Sequence, residues 1–535
     1  MVFMNKGKLT AAFIAAGLIA SFAGSVTPSF TAPCILSASA EDGAEEYTEG
    51  TFGPLGYRKY PSGITITSCD KTVEEVEIPS EIDGVKVTVI GESSFDSCAV
   101  SSLVIPDTVT ELEFRAFMSC SNLKSVEVPA SVKTIGVEAF AYSENLETVR
   151  LNEGLTAIYS AAFALTGVRE INFPSTVTTI STEVMQGTPW LTEQQEKDPL
   201  VIVNGIVIDG KTCKGDVVIP ENIRSVSKHA FSLNMELTSV KLPDDMAYIG
   251  DCAFMYCMNL KKVELPDRLK VLESAVFMGC NSLESVKLPK DNAEIRADAF
   301  NGCTSLAKVE FPSQQVDVYE NAFKSTPWLD SLRAEDPLVI VNNTLIDGKK
   351  CEGDVVIPEG VSVIAPQAFA ENEKITSVSV PSTVKTLRES TFANCTALTS
   401  AELKGVEYIA PEAFSGCAML EKLKLPGCLH KIDDSVFLSC THSSEITFSG
   451  TRQHWLTIVK GEYNTFFFSR AKYTFSKSGD VNDDGEVTVE DAVALQKWLL
   501  GADDAELVNP FVADVCSDGV TDTFDLCALR KLLVK

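Results

Sequence analysis

Apolar residues along most of this chain do not recur at helical spacing. They alternate with polar ones in short runs, and the runs return on a beat of about 23 residues. A run such as LTSVKLP (237–243) reads as a short strand with one inward face. The proline that closes it has no N–H to give to a ladder, and Pro243, Pro266, Pro289 and Pro312 follow one another at intervals of 23. Phenylalanine keeps the same beat. Between Phe95 and Phe437 there are sixteen slots about 23 residues apart, and thirteen hold Phe. One copy, LTSVKLPDDMAYIGDCAFMYCMN (237–259), predicts a strand, a second apolar pair at Met246 and Ile249, and a turn carrying an inward Phe254. So short a unit cannot bury its apolar face alone. Neighbours must stack at roughly 4.8 Å per rung into a continuous core, which makes the chain a repeat solenoid of short strands and turns.

Two places break the beat in the same way. Residues 188–221 (TPWLTEQQEKDPLVIVNGIVIDGKTCKGDVVIPE) recur as 326–359, offset by 138 residues or six rungs. Each reads as a short helix followed by a hairpin, and Asn204-Gly205 suits a type I′ turn. This is the signature of a duplicated six-rung block, and the pair of inserts is one place where a ligand site could be built.

Composition narrows the function. The 535 residues carry 74 acidic and 45 basic side chains, a formal charge of −29. That balance excludes a sizeable nucleic-acid footprint and disfavours an anionic membrane surface. Residues 1–40 carry only Lys6 and Lys8, then a long uncharged stretch ending in Ala38-Ser39-Ala40. This reads as a signal peptide with cleavage after Ala40, because Pro28 and Pro33 interrupt it short of a membrane span. A secreted, extracellular or cell-surface protein without membrane insertion is expected.

Eight of the sixteen cysteines stand three residues after a repeat phenylalanine: Cys98, Cys120, Cys257, Cys280, Cys303, Cys395, Cys417 and Cys440. Equivalent positions on stacked rungs point the same way, so a run such as Cys257, Cys280 and Cys303 cannot pair completely. They are expected as small buried hydrophobes. The four histidines, His229, His430, His442 and His454, accompany no nucleophile or zinc motif. No catalytic residue is assigned, and the chain is read as a non-enzyme.

The repeat pattern IPxxVxxIxxxAFxxCxxLxxVxIP resembles the BspA-like leucine-rich repeats over residues ~64–440. Residues 57–79 resemble their N-terminal cap and 446–475 their closing segment. The solenoid with its caps is therefore assigned to 41–475, and 476–478 to a linker.

The remaining segment, 479–535, has different chemistry. GDVNDDGEVTVED places Asp480, Asn482 and Asp484 at positions 1, 3 and 5 of a loop, Gly485 at 6 and Asp491 at 12. Ca²⁺ takes six to eight oxygens, and alternate side chains of a tight loop supply them. Glu486 would offer its backbone carbonyl, and Thr488 stands at the ninth position, where a water is often held. Thirty-four residues on, the pattern returns with Asp514, Asp518, Val520, Asp522 and Asp525. There Cys516 takes the third position, and a thiol is a poor calcium ligand, so the second site is expected to be weaker unless Asp522 compensates. One such loop could be a solvated acidic turn. Two, each followed by an amphipathic helix, argue for a small all-α calcium-binding module.

This pair resembles a type I dockerin. The resemblance implies calcium at two sites and a cohesin module of a scaffoldin as partner. It further implies contacts from loop positions 10 and 11 and helix positions 17 and 18. Those positions are Val489, Glu490, Gln496 and Lys497 in one half, and Thr523, Phe524, Arg530 and Lys531 in the other. The whole then reads as a secreted, non-catalytic binding or adhesion component of a cellulosome-like complex, its solenoid recognising an unknown protein or polysaccharide. The alternatives are a polysaccharide hydrolase with its active site hidden on the solenoid, and a purely structural spacer.

Overall fold

The structure is a computed structural model that describes residues 46–442, 444–502, 505–516 and 520–534. The expected signal segment 1–40 and the expected ligand Asp518 lie outside the described residues.

Each rung lays down one strand of two to six residues and one of two residues, and successive rungs pair in parallel. Val126 faces Val149 in one sheet, while Ile135 faces Ile158 in the other. Burial alternates along the strands, as in Ser125–Val128 and Lys422–Leu425, because only one face of each meets the core. An antiparallel meander of Thr48–Phe52, Leu55–Tyr60 and Gly63–Cys69 closes the N-terminal end. At the other end, helices Arg452–Thr457 and Thr465–Arg470 and strand Lys472–Phe475 finish the stack, with Trp455 and Phe467 buried.

The third side of each rung is a turn, also laddered. The N–H of Phe95 donates to the carbonyl of Ala116 at 2.8 Å, Phe117 to Ala139 at 2.7 Å, and Phe140 to Ala162 at 2.8 Å. To hold this shape, residues two before and two after the phenylalanine adopt positive φ, as Arg115 (55°) and Ser119 (59°) do around Phe117. The rings stack down the core with centroids 4.8 to 5.7 Å apart.

The stack is interrupted at the inserts, and the buried core accordingly falls into three consecutive segments that meet there. Helix Pro189–Lys197 starts at Thr188, whose hydroxyl accepts from the Leu191 N–H at 3.1 Å and donates to the Met185 carbonyl at 2.7 Å. Pro327–Glu335 repeats this from Thr326. The strands Val201–Val203 and Ile206–Asp209 form the expected hairpin, with positive φ at Asn204 (50°) and Gly205 (77°) as a type I′ turn requires. The hairpin's second strand then serves as a rung, pairing in parallel with Ser225–Val226. Gly210 makes the join: a Cβ there would lie 2.2 Å from the Phe231 ring, and Gly348 bears the same relation to Phe369 at 2.1 Å.

Candidate metal centre and docking surface

Helices Val489–Leu499 and Thr523–Leu533 have equal length and the 34-residue offset read from the sequence. They pack around Val481, Leu495, Val512, Ala513 and Leu529, all fully buried. Each opens on a capping box made from the loop before it. Thr488 and Asp491 form the first, Asp522 and Asp525 the second. Positions 9 and 12 of each candidate metal loop are therefore the N-cap and N3 residues of the helix, so forming the helix and shaping the loop are one event.

The twelfth-position carboxylates tie the loops shut. Asp491 accepts from the Asn482 N–H at 3.1 Å and the Thr488 N–H at 2.7 Å. Asp525 does the same with Cys516 at 3.0 Å and Asp522 at 2.8 Å. In the first loop Asp480 accepts from the N–H groups of Asp484 (3.2 Å) and Gly485 (3.0 Å), and the Asn482 amide donates to Asp484 at 2.8 Å. Asp480 and Asp491 are buried, and no lysine or arginine among the described residues forms an ion pair with either. Two buried carboxylates at one place are expensive unless a cation joins them. Burial pushes the Asp480 carboxyl up, the charges of Asp491, Asp484 and Asp483 push the same way, and the Gly485 N–H only partly offsets them. The donor set fits calcium: all oxygen, clustered, and short of positive charge.

The second loop differs. Burial raises the Asp525 carboxyl, but N–H bonds from Cys516 and Asp522 outweigh it, so the net shift is downward. One ligand atom each from Asp514, Cys516 and Asp525 lies within 4.8 Å of the others. Asp522 is engaged as the helix cap, accepting from the Phe524 N–H at 2.6 Å, and Val520 is exposed. Glu486 is exposed, its N–H on the Asp484 carboxylate.

The expected contact residues are all on the surface. Val489, Glu490, Gln496 and Lys497 are exposed, as are Thr523, Phe524, Arg530 and Lys531. The structure adds a contact between two of them. Arg530 Nη2 donates to Gln496 Oε1 at 2.6 Å. These two residues are 34 apart and stand at the same position in their halves, so the pair lies where a two-fold relation between the halves would put its axis. Their equal spacing was the available sequence signal.

A second finding had no sequence signal. Phe511, in the turn Pro510–Val512, reaches the solenoid at Gly427, where a Cβ would come within 2.4 Å of it. The module is therefore seated on the last rungs through one aromatic side chain as well as through residues 476–478.

The repeat cysteines are buried and free, and their thiols have a role that the sequence did not suggest. Each of seven donates to the carbonyl of the phenylalanine one rung earlier: Cys120 to Phe95 at 3.2 Å, Cys257 to Phe231, Cys280 to Phe254 and Cys303 to Phe277 at 3.1 Å. Cys395, Cys417 and Cys440 do likewise at 3.2, 3.1 and 3.1 Å. Where Ser143 replaces cysteine, its hydroxyl makes the same bond to Phe117 at 3.1 Å.

No helix among the described residues is long and apolar enough to cross a membrane. The family model for the BspA type leucine rich repeat region matches in six copies, over residues 68–194, 211–330 and 347–457. The model for the dockerin type I domain matches 478–534. No curated protein matches. Among solved structures, a leucine rich cell surface protein from Faecalibacterium prausnitzii is similar at 22% identity, covering 78% of this chain and 99% of its own, with a TM-score of 0.29. A leucine-rich repeat protein from Bacteroides ovatus is similar at 21% identity, covering 82% and 100%, also at 0.29.

Proposed function

This chain belongs to the BspA-type leucine-rich repeat family and carries a type I dockerin domain after its repeats, and from that premise we propose that it is a secreted, non-catalytic binding component of a cellulosome-like extracellular complex. Dockerin domains bind calcium and imply a cohesin partner, and both matched domain types are typically non-catalytic. The observation that carries the reading is the coupling of two acidic loops to two helix caps beneath an exposed face. In the first loop Asp480, Asn482, Asp484 and Asp491 would hold calcium through side chains, Glu486 through its carbonyl and Thr488 through a water. In the second, Asp514, Asp518, Val520, Asp522 and Asp525 would hold a weaker ion. Bound calcium would supply the positive charge that the buried carboxylates lack. The chain's own residues do the rest. Asp491 and Asp525 pin loop to helix, and the surface offered to a cohesin would be Val489, Glu490, Gln496 and Lys497 from one half and Thr523, Phe524, Arg530 and Lys531 from the other. The solenoid leaves a long acidic surface for a protein or polysaccharide.

The test is calorimetric titration of the full chain with cohesin modules from scaffoldins, with and without calcium, beside an assay on cellulose, xylan and pectin. Calcium-dependent cohesin binding without hydrolysis is expected. Clear hydrolysis, or binding indifferent to calcium, sinks the proposal.

A further inference from the structure

The two inserts share a sequence plan but not an interior. Beside the second lies a cavity of about 330 Å³. The equivalent space beside the first measures about 10 Å³, room for no more than a water. Substitutions at matching positions, 138 residues apart, account for the difference.

In the first copy Lys211 pairs with Glu183 at 3.1 Å, and Lys228 pairs with Asp251 at 2.5 Å, so the cations are consumed internally. In the second copy Asn321 stands where Glu183 stood and Pro366 where Lys228 stood. Lys349, the counterpart of Lys211, forms no ion pair among the described residues, and the same holds for Lys324 and Lys350 around the cavity. Lys324 replaces Gln186, Lys350 replaces Thr212 and Arg333 replaces Gln195, so against the one cation lost at Pro366 the open copy gains two cations net. Asp330 in place of Thr192 offsets the carboxylate lost at Asn321 and is itself paired with Arg333 at 3.2 Å. Arg333, in place of Gln195, is already spoken for: it grips the buried Asp347 through two bonds of 2.9 and 2.7 Å. That fork fixes the cavity wall. Burial holds the Lys349 ammonium below the ordinary lysine range, and Lys324 and Arg333 press the same way against Asp347 and Glu371. An unpaired, partly buried cation beside other cations is costly and calls for an anion.

Within a chain of charge −29, this cavity is a local exception. Its size lies at the small end of ligand pockets and far exceeds a bare carboxylate. Beyond the cations, Tyr319, Ser325 and Gln367 offer hydroxyl and amide groups suited to a hydroxylated body. We infer that the cavity at the second insert binds a sugar acid, its carboxylate between Lys349 and Lys324 and its hydroxyls on the neutral polar wall. This rests on the reading of the solenoid as a ligand-binding surface, and names the ligand class for one place on it.

The test is calorimetric titration of the full chain at low salt with galacturonate, glucuronate, neutral galactose and inorganic phosphate. Saturable binding of at least one sugar acid is expected, with galactose and phosphate each at least about tenfold weaker. Asn321→Glu should install the internal ion pair of the first copy, keep or raise the melting temperature, and weaken binding by about tenfold or more. Lys349→Gln should weaken it similarly, and serves if the first variant misfolds, whereas Lys211→Gln should leave it unchanged. No saturable binding of either acid, equal binding of galactose, or full affinity in both cavity variants overturns the inference. Binding of phosphate as tight as of the sugar acids would leave an anion site without the proposed sugar class, and overturns it too. None of these outcomes touches the dockerin, because no cohesin enters the titration.

Discussion

At the scale of single residues, the position three after each phenylalanine decides how tightly one rung is tied to the last. A thiol there both fills space and donates to a carbonyl, and the two roles separate on substitution. Cys280→Ser keeps the donor that Ser143 supplies in its own rung, while Cys280→Ala discards it. If the bond matters, serine should cost under about 1 kcal/mol and alanine about 1–3 kcal/mol, read from denaturant midpoints. A plain hydrophobe would give the opposite order. The same thiols set an alkaline limit. Burial pushes Cys120, Cys257 and Cys303 up to about 12. A thiol whose folded pKa is raised contributes stability below its unfolded value near 9 and loses it as pH climbs through that window. The solenoid should therefore be stable at pH 8 and weaken between pH 9 and 12, followed by circular dichroism. At pH 8 an alkylating reagent should label the exposed Cys516 and Cys527 and spare the repeat cysteines.

At the scale of elements, the dockerin's two halves share a backbone plan and differ in what they show. Both helices begin on capping boxes of the same geometry, yet one offers Val489 and Glu490 and the other Thr523 and Phe524. Phe524 is a large apolar side chain, 71% exposed among the described residues. A cohesin pocket shaped for that ring would not accept the Glu490 carboxylate without burying an unpaired charge. One docking orientation should dominate, although the Gln496–Arg530 pair sits where a two-fold relation would allow two. Glu490→Ala and Phe524→Ala, measured separately against one cohesin, should weaken binding unequally. Equal small losses would favour docking in both orientations.

At the scale of the whole molecule, the two parts depend on different forces. The solenoid is held by stacked phenylalanines and laddered backbone over hundreds of residues. The module has a small core and two acidic loops, in the first of which the carboxylates repel when nothing joins them. Chelation should melt residues 479–535, abolish cohesin binding and leave the strand signal of the solenoid intact. Calorimetry should show one transition moving with calcium and one indifferent to it. A helical signal from the module that persists in excess chelator would count against this. The Phe511–Gly427 seat predicts only a small perturbation of the last rungs when the module melts.

What the sequence by itself determined is whatever a spacing can carry. The 23-residue beat placed strands and inward phenylalanines, the repeated 188–221 and 326–359 segments marked a helix and hairpin each, Asn204-Gly205 marked a turn, and two acidic loops 34 apart marked the module. Each follows from groups close along the chain or from strict recurrence, which local backbone geometry translates directly into shape. What only the tertiary structure decided depends on which atoms meet across rungs. The thiols' partners are carbonyls 25 or 26 residues away. Gly210 and Gly348 are small because a ring one rung later occupies their space. Phe511 finds Gly427 across 84 positions. The inserts, nearly alike when read as strings, diverge because Glu183 forms an ion pair with Lys211 in one copy, whereas with Asn321 in its place Lys349 forms no ion pair among the described residues in the other. A recurring pattern specifies the fold twice over, but the charge balance of each cavity is settled only by the side chains that the fold brings together.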